Sequence, residues 1–299
     1  MKHIVSVSLG SSSRDHRAEV EFLGEKVVVE RIGTNGDLNQ AINLIESLDG
    51  KVDAFGMGGI DLYLYAGKKR FIVKDAARMA AAARKSPIVD GSGLKNTLER
   101  RVVHFINDDL HLDLPNQKVL MVSAVDRFGM AEAFSGLGCQ MTFGDVIFAL
   151  GLPIPLTKIT SLNRLATTLL PVITHLPFTF VYPTGAKQEQ NIEKYLKYYQ
   201  NADIIAGDYL YIKKYMPKDL NHKTIVTNTV TSMDIEELGR RGLSLLVTTT
   251  PEIAGRSFGT NVMEALLVSF SGKHPSQLIE ADYLSLMDDL KFQPRVVSF

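Results

Sequence analysis

The sequence of 299 residues contains a single cysteine, Cys139, and no tryptophan. One cysteine cannot form a disulfide bond within the chain, so a small disulfide-stapled fold is excluded. An excess of charge of one sign is also missing, because 33 Lys and Arg residues balance 33 Asp and Glu residues. A chain with zero formal net charge has no global field that would gather nucleic acid or an anionic membrane. We therefore expect no nucleic-acid partner.

Long hydrophobic runs are scarce as well. The most apolar stretch, residues 162–182, is interrupted by Arg164, Pro171, His175 and Pro177. A spanning helix needs about 20 mostly apolar residues, so we predict no transmembrane segment. The start of the chain, MKHIVSVSLG, lacks the apolar stretch and the cleavage site of a secretory signal. These features predict a cytoplasmic location.

The composition is that of a globular protein. Hydrophobic residues make up 45% of the chain and charged residues 22%, which excludes intrinsic disorder and collagen-like folds. At roughly 150 residues per domain, a chain of this length is expected to form two domains, each able to bury a core.

The second half of the chain alternates short apolar β-rich runs with helical patterns. This alternation is typical of βαβ units, which build a parallel sheet covered on both faces. The predicted strands are residues 118–124, 139–143, 203–207, 223–228 and 243–250. We expect this half to be Rossmann-like.

The first half also reads as an α/β unit. Residues 3–10 alternate like a strand, a hairpin is predicted to turn at Leu23 and Gly24, and a helix is predicted from Leu38 to Leu48 after Asp37. We therefore predict an α/β fold of two Rossmann-like domains with parallel-type sheets. The predicted domains are residues 1–114, which are expected to bind substrate, and residues 115–273. The tail, residues 274–299, is predicted to supply a helix at 277–290 that returns across both domains.

A long insertion separates two of the predicted strands, at residues 146–200. Such a length requires structure of its own. We predict two short helices broken at Pro171, and a polar helix at residues 188–200 that carries Tyr195, Tyr198 and Tyr199. The apolar part is expected to pack in the fold or to form a homodimer interface, with a lid or a membrane-surface contact as alternatives.

Ligands of open α/β sheets bind where the strands end, beside helix N-termini. After the first strand of the second half, the turn SAVDRFGMA matches a dinucleotide fingerprint only at Gly129, and Asp126 replaces its middle glycine. Asp145 follows 19 residues after Asp126, near the position of a ribose-binding acid. Helix N-caps are the alternative interpretation of both aspartates. The candidate cofactor-binding residues are Ser123, Asp126, Arg127, Gly129, Asp145, Thr248 and Thr249.

The first half supplies candidate substrate-binding and catalytic residues. The segment VDGSGLKN places Asp90 at a strand end and Lys95 in the first turn of a helix, where the dipole disfavours a cation. A lysine beside a carboxylate is suited to acid/base catalysis, with a solvated surface lysine as the alternative. The candidate catalytic residues are therefore Lys95 and Asp90. The candidate substrate-binding residues from strand ends and turns are Ser11, Ser12, Ser13, Gly59, Asp61 and Asn96.

Several motifs together resemble a bacterial family commonly labelled quinate 5-dehydrogenase or shikimate dehydrogenase-like. They are VSLGSSSRDH, GGIDLYLYAG, VDGSGLKNTLERR, VSAVDRFGMAEAF, TFGDVIFALGLPIPL and GRSFGTNVMEALL. The resemblance implies hydride transfer between NAD or NADP and a hydroxylated ring acid. It also implies a substrate contact from Glu264, which holds the position nearest to a substrate-binding glutamine.

Three functions stay open at this stage. The first is an NAD(P)-dependent oxidoreductase, as the resemblance implies. The second is a transferase or ligand-binding protein that uses the same two α/β units without a dinucleotide, since a fold of this kind does not fix its function. The third is a noncatalytic scaffold. The seven histidines show no metal-ligand spacing, so no metal site is predicted.

Overall fold

The structure, a computed structural model, describes residues 1–67, 69–181 and 191–299. Its first half contains one main sheet and the hairpin β5–β6. The strands of this half are β1 (Lys2–Ser8), β2 (His16–Phe22), β3 (Glu25–Gly33), β4 (Ala54–Gly58), β5 (Tyr63–Ala66), β6 (Lys69–Ile72) and β7 (Ile88–Val89). The helices are α1 (Leu38–Leu48), α2 (Lys74–Ala80) and α3 (Ser92–Asp108).

The main sheet of the first half has the order β2-β3-β1-β4-β7 and is parallel except for the edge strand β2. The predicted hairpin is confirmed, since β2 and β3 turn at Leu23 and Gly24. The predicted helix α1 is also confirmed, and the side chain of Asp37 caps it by accepting a hydrogen bond from the Gln40 amide.

The second half contains the second main sheet and most of the helices. Its strands are β8 (Lys118–Met121), β9 (Gln140–Phe143), β10 (Ile204–Ala206), β11 (Thr224–Thr227), β12 (Leu245–Thr248), β13 (Glu252–Ile253), β14 (Arg256–Ser257) and β15 (Arg295–Ser298). Its helices are α4 (Phe128–Gly136), α5 (Ile159–Ile173), α6 (Phe178–Val181), α7 (Leu196–Asn201), α8 (Tyr209–Tyr215), α9 (Ser232–Arg240), α10 (Thr260–Ser271) and α11 (Glu280–Asp289).

The second main sheet has the order β9-β8-β10-β11-β12-β15. The five predicted strands are confirmed, and they pair in parallel. An unpredicted strand, β15, adds to the edge in antiparallel orientation. The α/β fold with two parallel-type sheets is thus established, and α9 shows how local sequence sets a helix start, because Thr231 and Asp234 form a capping box.

Two helices from the end of the chain return to the first half. Helix α10 packs against β1 and β4, and α11 packs against α3 and α10. Gly56 in β4 permits this contact, since a Cβ there would lie 2.8 Å from the backbone oxygen of Asn261. One hydrophobic core consequently runs through both halves, from Ile4 in β1 to Phe134 in α4. The residue ranges of the domains stay a prediction.

The insertion differs from its prediction at Pro171. Helix α5 continues through this residue to Ile173, because a proline in the last turn removes only one backbone hydrogen bond. The predicted break is therefore wrong.

The rest of the insertion is helical over a short range only. Residues 182–190, which include the first three residues of the predicted helix at 188–200, lie outside the described part, and over the described residues 191–200 the helical part begins with α7 at Leu196. Tyr195 precedes α7 in a left-handed conformation, which ends helical continuity there. Its hydroxyl donates to the Gly151 carbonyl at 2.5 Å, and that of Tyr198 donates to the Pro153 carbonyl at 3.0 Å. The homodimer interface in this insertion stays a prediction.

Within the described ranges 1–67, 69–181 and 191–299, no helix has both the length and the apolarity needed to cross a membrane.

Candidate functional site

A cleft lies where the carboxyl ends of the two main sheets face each other. In the first sheet β1 has β3 on one side and β4 on the other, and in the second β8 stands between β9 and β10. The strand order reverses at these points, and open α/β sheets bind ligands in the crevice beside such reversals. Here a cavity of about 160 Å³ is lined by residues that follow β1, β4, β8, β10 and β11. We call it the cleft cavity.

A second cavity of about 560 Å³ adjoins the cleft cavity, between the first turns of α3 and α4 and the hairpin β5–β6. We call it the outer cavity. Lys95, Asp126 and Arg127 line both cavities and therefore form a shared wall. Asn96 and Gly129, two of the predicted binding residues, line the outer cavity. Gly129 also lets α4 approach α3, because a Cβ would lie 2.7 Å from Asn96 Oδ1.

Arg127 is the centre of the charged group in the shared wall. Its side chain is 1% exposed and forms an ion pair with Glu99, which is fully buried. Its guanidinium also lies 3.4 Å from Asp208 Oδ2 and 3.7 Å from Asp126 Oδ2. Burial opposes the charge on Arg127, but the surrounding carboxylates outweigh this effect and raise the pKa of the guanidinium. Arg127 is therefore a permanent buried cation that holds three acids together.

Asp126 carries an oxygen that no other described group satisfies. Its Oδ1 is buried without a hydrogen-bond partner among the described residues, although the side chain as a whole is 21% exposed. Burial raises the pKa of Asp126, while Arg127 and Lys95 oppose that shift. The predicted helix-cap alternative is wrong, because Asp126 lies in a 3₁₀ turn and α4 begins without a side-chain cap.

Lys95 is an enclosed ion-pair partner. Its side chain is 12% exposed, and its ammonium group lies 2.5 Å from Asp61 Oδ1, so the surface-lysine alternative is wrong. Burial opposes the charge, but Asp61 outweighs it and raises the pKa of Lys95. An ammonium group held charged in this way is suited to binding an oxygen atom rather than to accepting a proton. Its acid/base role stays a prediction.

Another part of the cleft cavity is lined by three arginines, Arg14, Arg31 and Arg256, which we call the arginine group. Arg31 pairs with Asp15 at 2.8 Å, and Arg14 lies 3.3 Å from Asp234. The third arginine has no such partner among the residues that the structure describes.

Arg256 is 5% exposed, and no carboxylate among the described residues lies within ion-pair distance of it. One guanidinium nitrogen donates to the Arg14 carbonyl, but Nε is buried without a hydrogen-bond partner in the part of the chain that is described. Burial and the adjacent Arg14 and Arg31 lower the pKa of Arg256 to about 10, so the group is charged at neutral pH. A buried cation without a counterion is energetically costly and marks a place for an anion.

The predicted catalytic residue Asp90 lines the cleft cavity, but its carboxylate is occupied by structural hydrogen bonds. One oxygen accepts from the amides of Leu62 and Tyr63, and the other from the amide and hydroxyl of Ser92. Asp90 thus fixes the turn before β5 to the start of α3.

Glu264, the predicted substrate contact, is 3% exposed and does not line either cavity described above. It accepts hydrogen bonds from the Gly91 amide at 2.7 Å and from the Tyr283 hydroxyl at 2.6 Å. Burial and the nearby Asp90 raise the pKa of Glu264 to about 8. The residue ties α10 to the junction between β7 and α3.

We expect Glu264→Gln to remove a pH dependence of stability. The folded state holds the proton of Glu264 up to about pH 8, whereas the unfolded chain releases it near the ordinary pKa of glutamate. The parent should therefore lose stability as the pH rises from 5 to 8, by at most about 1.4 kcal/mol per pH unit. Urea unfolding at several pH values measures this, with exposed Glu19→Gln as control. Parallel profiles for parent and Glu264→Gln would contradict it.

Asp145 contacts the turn where a dinucleotide phosphate would dock. Its Oδ1 accepts hydrogen bonds from the amides of Ala124 at 2.9 Å and Val125 at 3.0 Å. Burial raises the pKa of Asp145 to about 6, and these amides oppose the shift. The helix-cap alternative is wrong, because the carboxylate caps the β8–α4 turn instead. Two amides of that turn are thus already bonded to an acid, and the Asp126 carboxylate follows them, so the turn does not fit a pyrophosphate.

The remaining predicted residues divide into two sets. Gly59 and Asp61 line the cleft cavity. The described residues that line the two cavities do not include the other predicted residues, which are Ser11, Ser12, Ser13, Ser123, Thr248 and Thr249. The three serines form a turn tied to Asn35, and Thr248 is buried against Ser257 and the Thr250 carbonyl.

Sequence analysis did not identify several lining residues. Asp208 lies two residues after the end of β10 and Asn228 directly follows β11, so the strand-end rule that selected Asp126 also applies to them. Arg31 and Arg256 carry no such signal, since they come from a strand interior and a hairpin. No metal site is evident either, because the described residues contain no group of three His, Cys, Asp or Glu arranged to hold a metal ion.

The fold and this site define a two-sheet α/β protein with a charged cleft between the carboxyl edges of its sheets. Residues 93–299 match the model of a family described as "Domain of unknown function (DUF8754)", and residues 3–90 match "Domain of unknown function (DUF8753)". Because the first match covers more than half of the chain, the chain belongs to the DUF8754 family. The search of curated proteins found no match.

Solved structures with a distant likeness include two kinds of protein. An NAD-dependent malic enzyme from Thermotoga maritima is 12% identical, with 97% of this chain and 84% of that chain covered and a TM-score of 0.35. A solute-binding protein of an ABC transporter from Burkholderia graminis, in complex with D-arabinose, is 9% identical, with coverages of 99% and 95% and a TM-score of 0.39. Likeness at this level carries no functional argument.

Proposed function

We propose that this protein binds a small hydroxylated organic acid in the cleft cavity. The observation that carries the proposal is Arg256, a buried cation with no carboxylate partner among the described residues and with an unsatisfied Nε. An anionic group of the ligand would supply the missing counterion and form charge-assisted hydrogen bonds. Arg14 and Arg31 strengthen the local positive potential.

Neutral polar groups beside the charges support a hydroxylated ligand. Asn228 and Asn261 line the cleft cavity, together with Ser8 and Thr229. Side-chain amides and hydroxyls both donate and accept hydrogen bonds, so they can bind the hydroxyl groups of a small molecule. The cavity of about 160 Å³ is smaller than the roughly 300–1,000 Å³ of sites for drug-sized ligands, which favours a ligand of a few carbon atoms.

A second candidate is hydride transfer between NAD or NADP and such an acid, the function implied by the quinate and shikimate dehydrogenase resemblance. One observation favours it: the outer cavity adjoins the cleft cavity at Lys95, so a second molecule there would meet the first at a charged wall. The β8–α4 turn argues against docking of the pyrophosphate in the usual way, since Asp145 occupies its amides. We therefore place ligand binding first and the oxidoreductase second.

We expect Arg256→Gln to weaken binding of the acid about 100-fold, because a buried charge-assisted contact is lost. The same variant should keep or gain stability without ligand, since it removes an uncompensated buried charge. Calorimetry with a panel of hydroxy acids and thermal unfolding of the unliganded protein measure the two effects. Arg17→Gln, at an exposed site, is the matched control.

The outcomes separate the two candidates. If a hydroxy acid binds the Arg256→Gln variant as tightly as it binds the parent, the proposed site is refuted. Titration with reduced NAD and reduced NADP at millimolar concentration tests the oxidoreductase. If neither binds, that candidate is excluded while the binding function stands.

A further inference from the structure

The cleft cavity has a second charged group besides the arginine group. We call it the acidic group: the carboxylates Glu99, Asp126 and Asp208 with the cation Arg127, next to the separate ion pair of Lys95 and Asp61; Glu99 lines the outer cavity and the other members line the cleft cavity. Among the described residues Arg127 pairs with all three carboxylates, Lys95 pairs separately with Asp61, and none of these residues pairs with a member of the arginine group. The wall of the cavity is therefore polarised, with surplus positive charge at Arg256 and carboxylates elsewhere.

The acidic group lacks positive charge. Three carboxylates face one cation, and the described residues add no second cation to these ion pairs. Uncompensated charge in a buried place is costly, so such a group either takes up protons or pairs with a cation from outside. A hydroxyl group of a ligand would satisfy hydrogen bonds but would leave the charge deficit.

Two buried acceptors in this group lack a hydrogen-bond partner among the described residues, Oδ1 of Asp126 and Oε2 of Glu99, and of these two residues Asp126 lines the cleft cavity. Asp208 uses one oxygen to cap α8 through the amides of Leu210 and Tyr211, and its other oxygen accepts from Asn228 and Arg127. Asp126 Oδ1 is buried and accepts no hydrogen bond from any described residue. Arg127, with a side chain 1% exposed, likewise has an Nε without a hydrogen-bond partner in the described ranges. Both residues line the cleft cavity, so the unsatisfied atoms point to a ligand.

We propose that the ligand of the cleft is a small amino acid, with its carboxylate at Arg256 and its protonated amine at Asp126. This inference rests on the part of the proposed function that places the carboxylate of a small organic acid at Arg256, and it deepens that part by assigning the acid an amine. An ammonium group supplies both the positive charge and the hydrogen-bond donors that the acidic group lacks. A metal cation is the less suitable occupant, because the described residues offer no set of three metal ligands.

Matched pairs of ligands test the proposal. Serine and glycerate share a carbon skeleton and differ in one amine or hydroxyl group, and alanine and lactate differ in the same way. Calorimetry on the full chain at pH 7 is expected to show the amino acid binding at least about 10-fold more tightly than its hydroxy partner, as one added ion pair predicts. Equal or tighter binding of the hydroxy acid overturns the amino-acid proposal and leaves the proposed function intact. Binding of neither overturns both.

Two variants locate the amine. Asp126→Asn should abolish the preference for the amino acid while leaving glycerate binding within about 2-fold, because only the charge at Oδ1 changes. Arg256→Gln should weaken both ligands of a pair. Exposed Asp289→Asn serves as the control, and thermal unfolding verifies that each variant is folded. An amine preference that persists in Asp126→Asn would refute the assignment.

Discussion

Arg127→Met is expected to reduce the free energy of unfolding by about 3–5 kcal/mol. The substitution removes the cation that holds Glu99, Asp126 and Asp208, and a buried carboxylate left without a partner carries a large desolvation cost. Methionine fills a similar volume, so the loss of charge dominates over the loss of packing. Urea unfolding at pH 7 measures the effect.

Two further variants decide whether charge is the cause. Arg17→Met at an exposed position should change stability by less than about 0.5 kcal/mol. Adding Glu99→Leu to Arg127→Met removes the fully buried orphaned acid and should recover part of the lost stability. If the double variant is less stable than Arg127→Met, packing rather than charge holds this wall together.

Gly59→Ala is expected to lower the free energy of unfolding by about 3 kcal/mol and to deform the cleft cavity. Gly59 has φ +73, which L side chains rarely adopt, and an added Cβ would lie 2.8 Å from the Gly10 amide nitrogen. Backbone strain and a clash with backbone atoms each contribute on the order of 1–3 kcal/mol. The clash would also separate the turns that follow β1 and β4, which line the cleft cavity.

Gly24→Ala is the matched control for this prediction. Gly24 has a nearly equal φ of +77, but no atom of the described residues lies within 4 Å of its added Cβ. The Gly24→Ala variant should therefore lose only the part of the free energy of unfolding that comes from the strained backbone conformation, about 1 kcal/mol. The difference between the two variants isolates the close approach of the two turns, and equal losses would show that Gly59 serves backbone conformation alone.

The sequence by itself determined the parts of the fold that depend on neighbouring residues. Residues 204–206 and 224–227 are buried on both faces, so apolar runs alone predicted these parallel strands. Helix α1 begins at its predicted residue because Asp37 caps it locally. The same short-range rules placed Gly59, Asp61, Lys95 and Asp126 at strand ends and helix starts, and strand ends of parallel sheets meet at one edge.

Only the tertiary structure decided which groups share the cleft and which serve the fold. Arg31 and Arg256 come from a strand interior and from the hairpin β13–β14, and their approach depends on chain segments far apart in sequence. Asp145 and Glu264 look like ligand contacts in the sequence, yet their carboxylates bond backbone amides of other segments. Local sequence patterns reflect the propensity of the backbone to form strands and helices. The partner of a buried charge depends instead on the packing of segments that are far apart in the sequence. For that reason the positions of the strand ends were predictable, and the pairing of the charges around them was not.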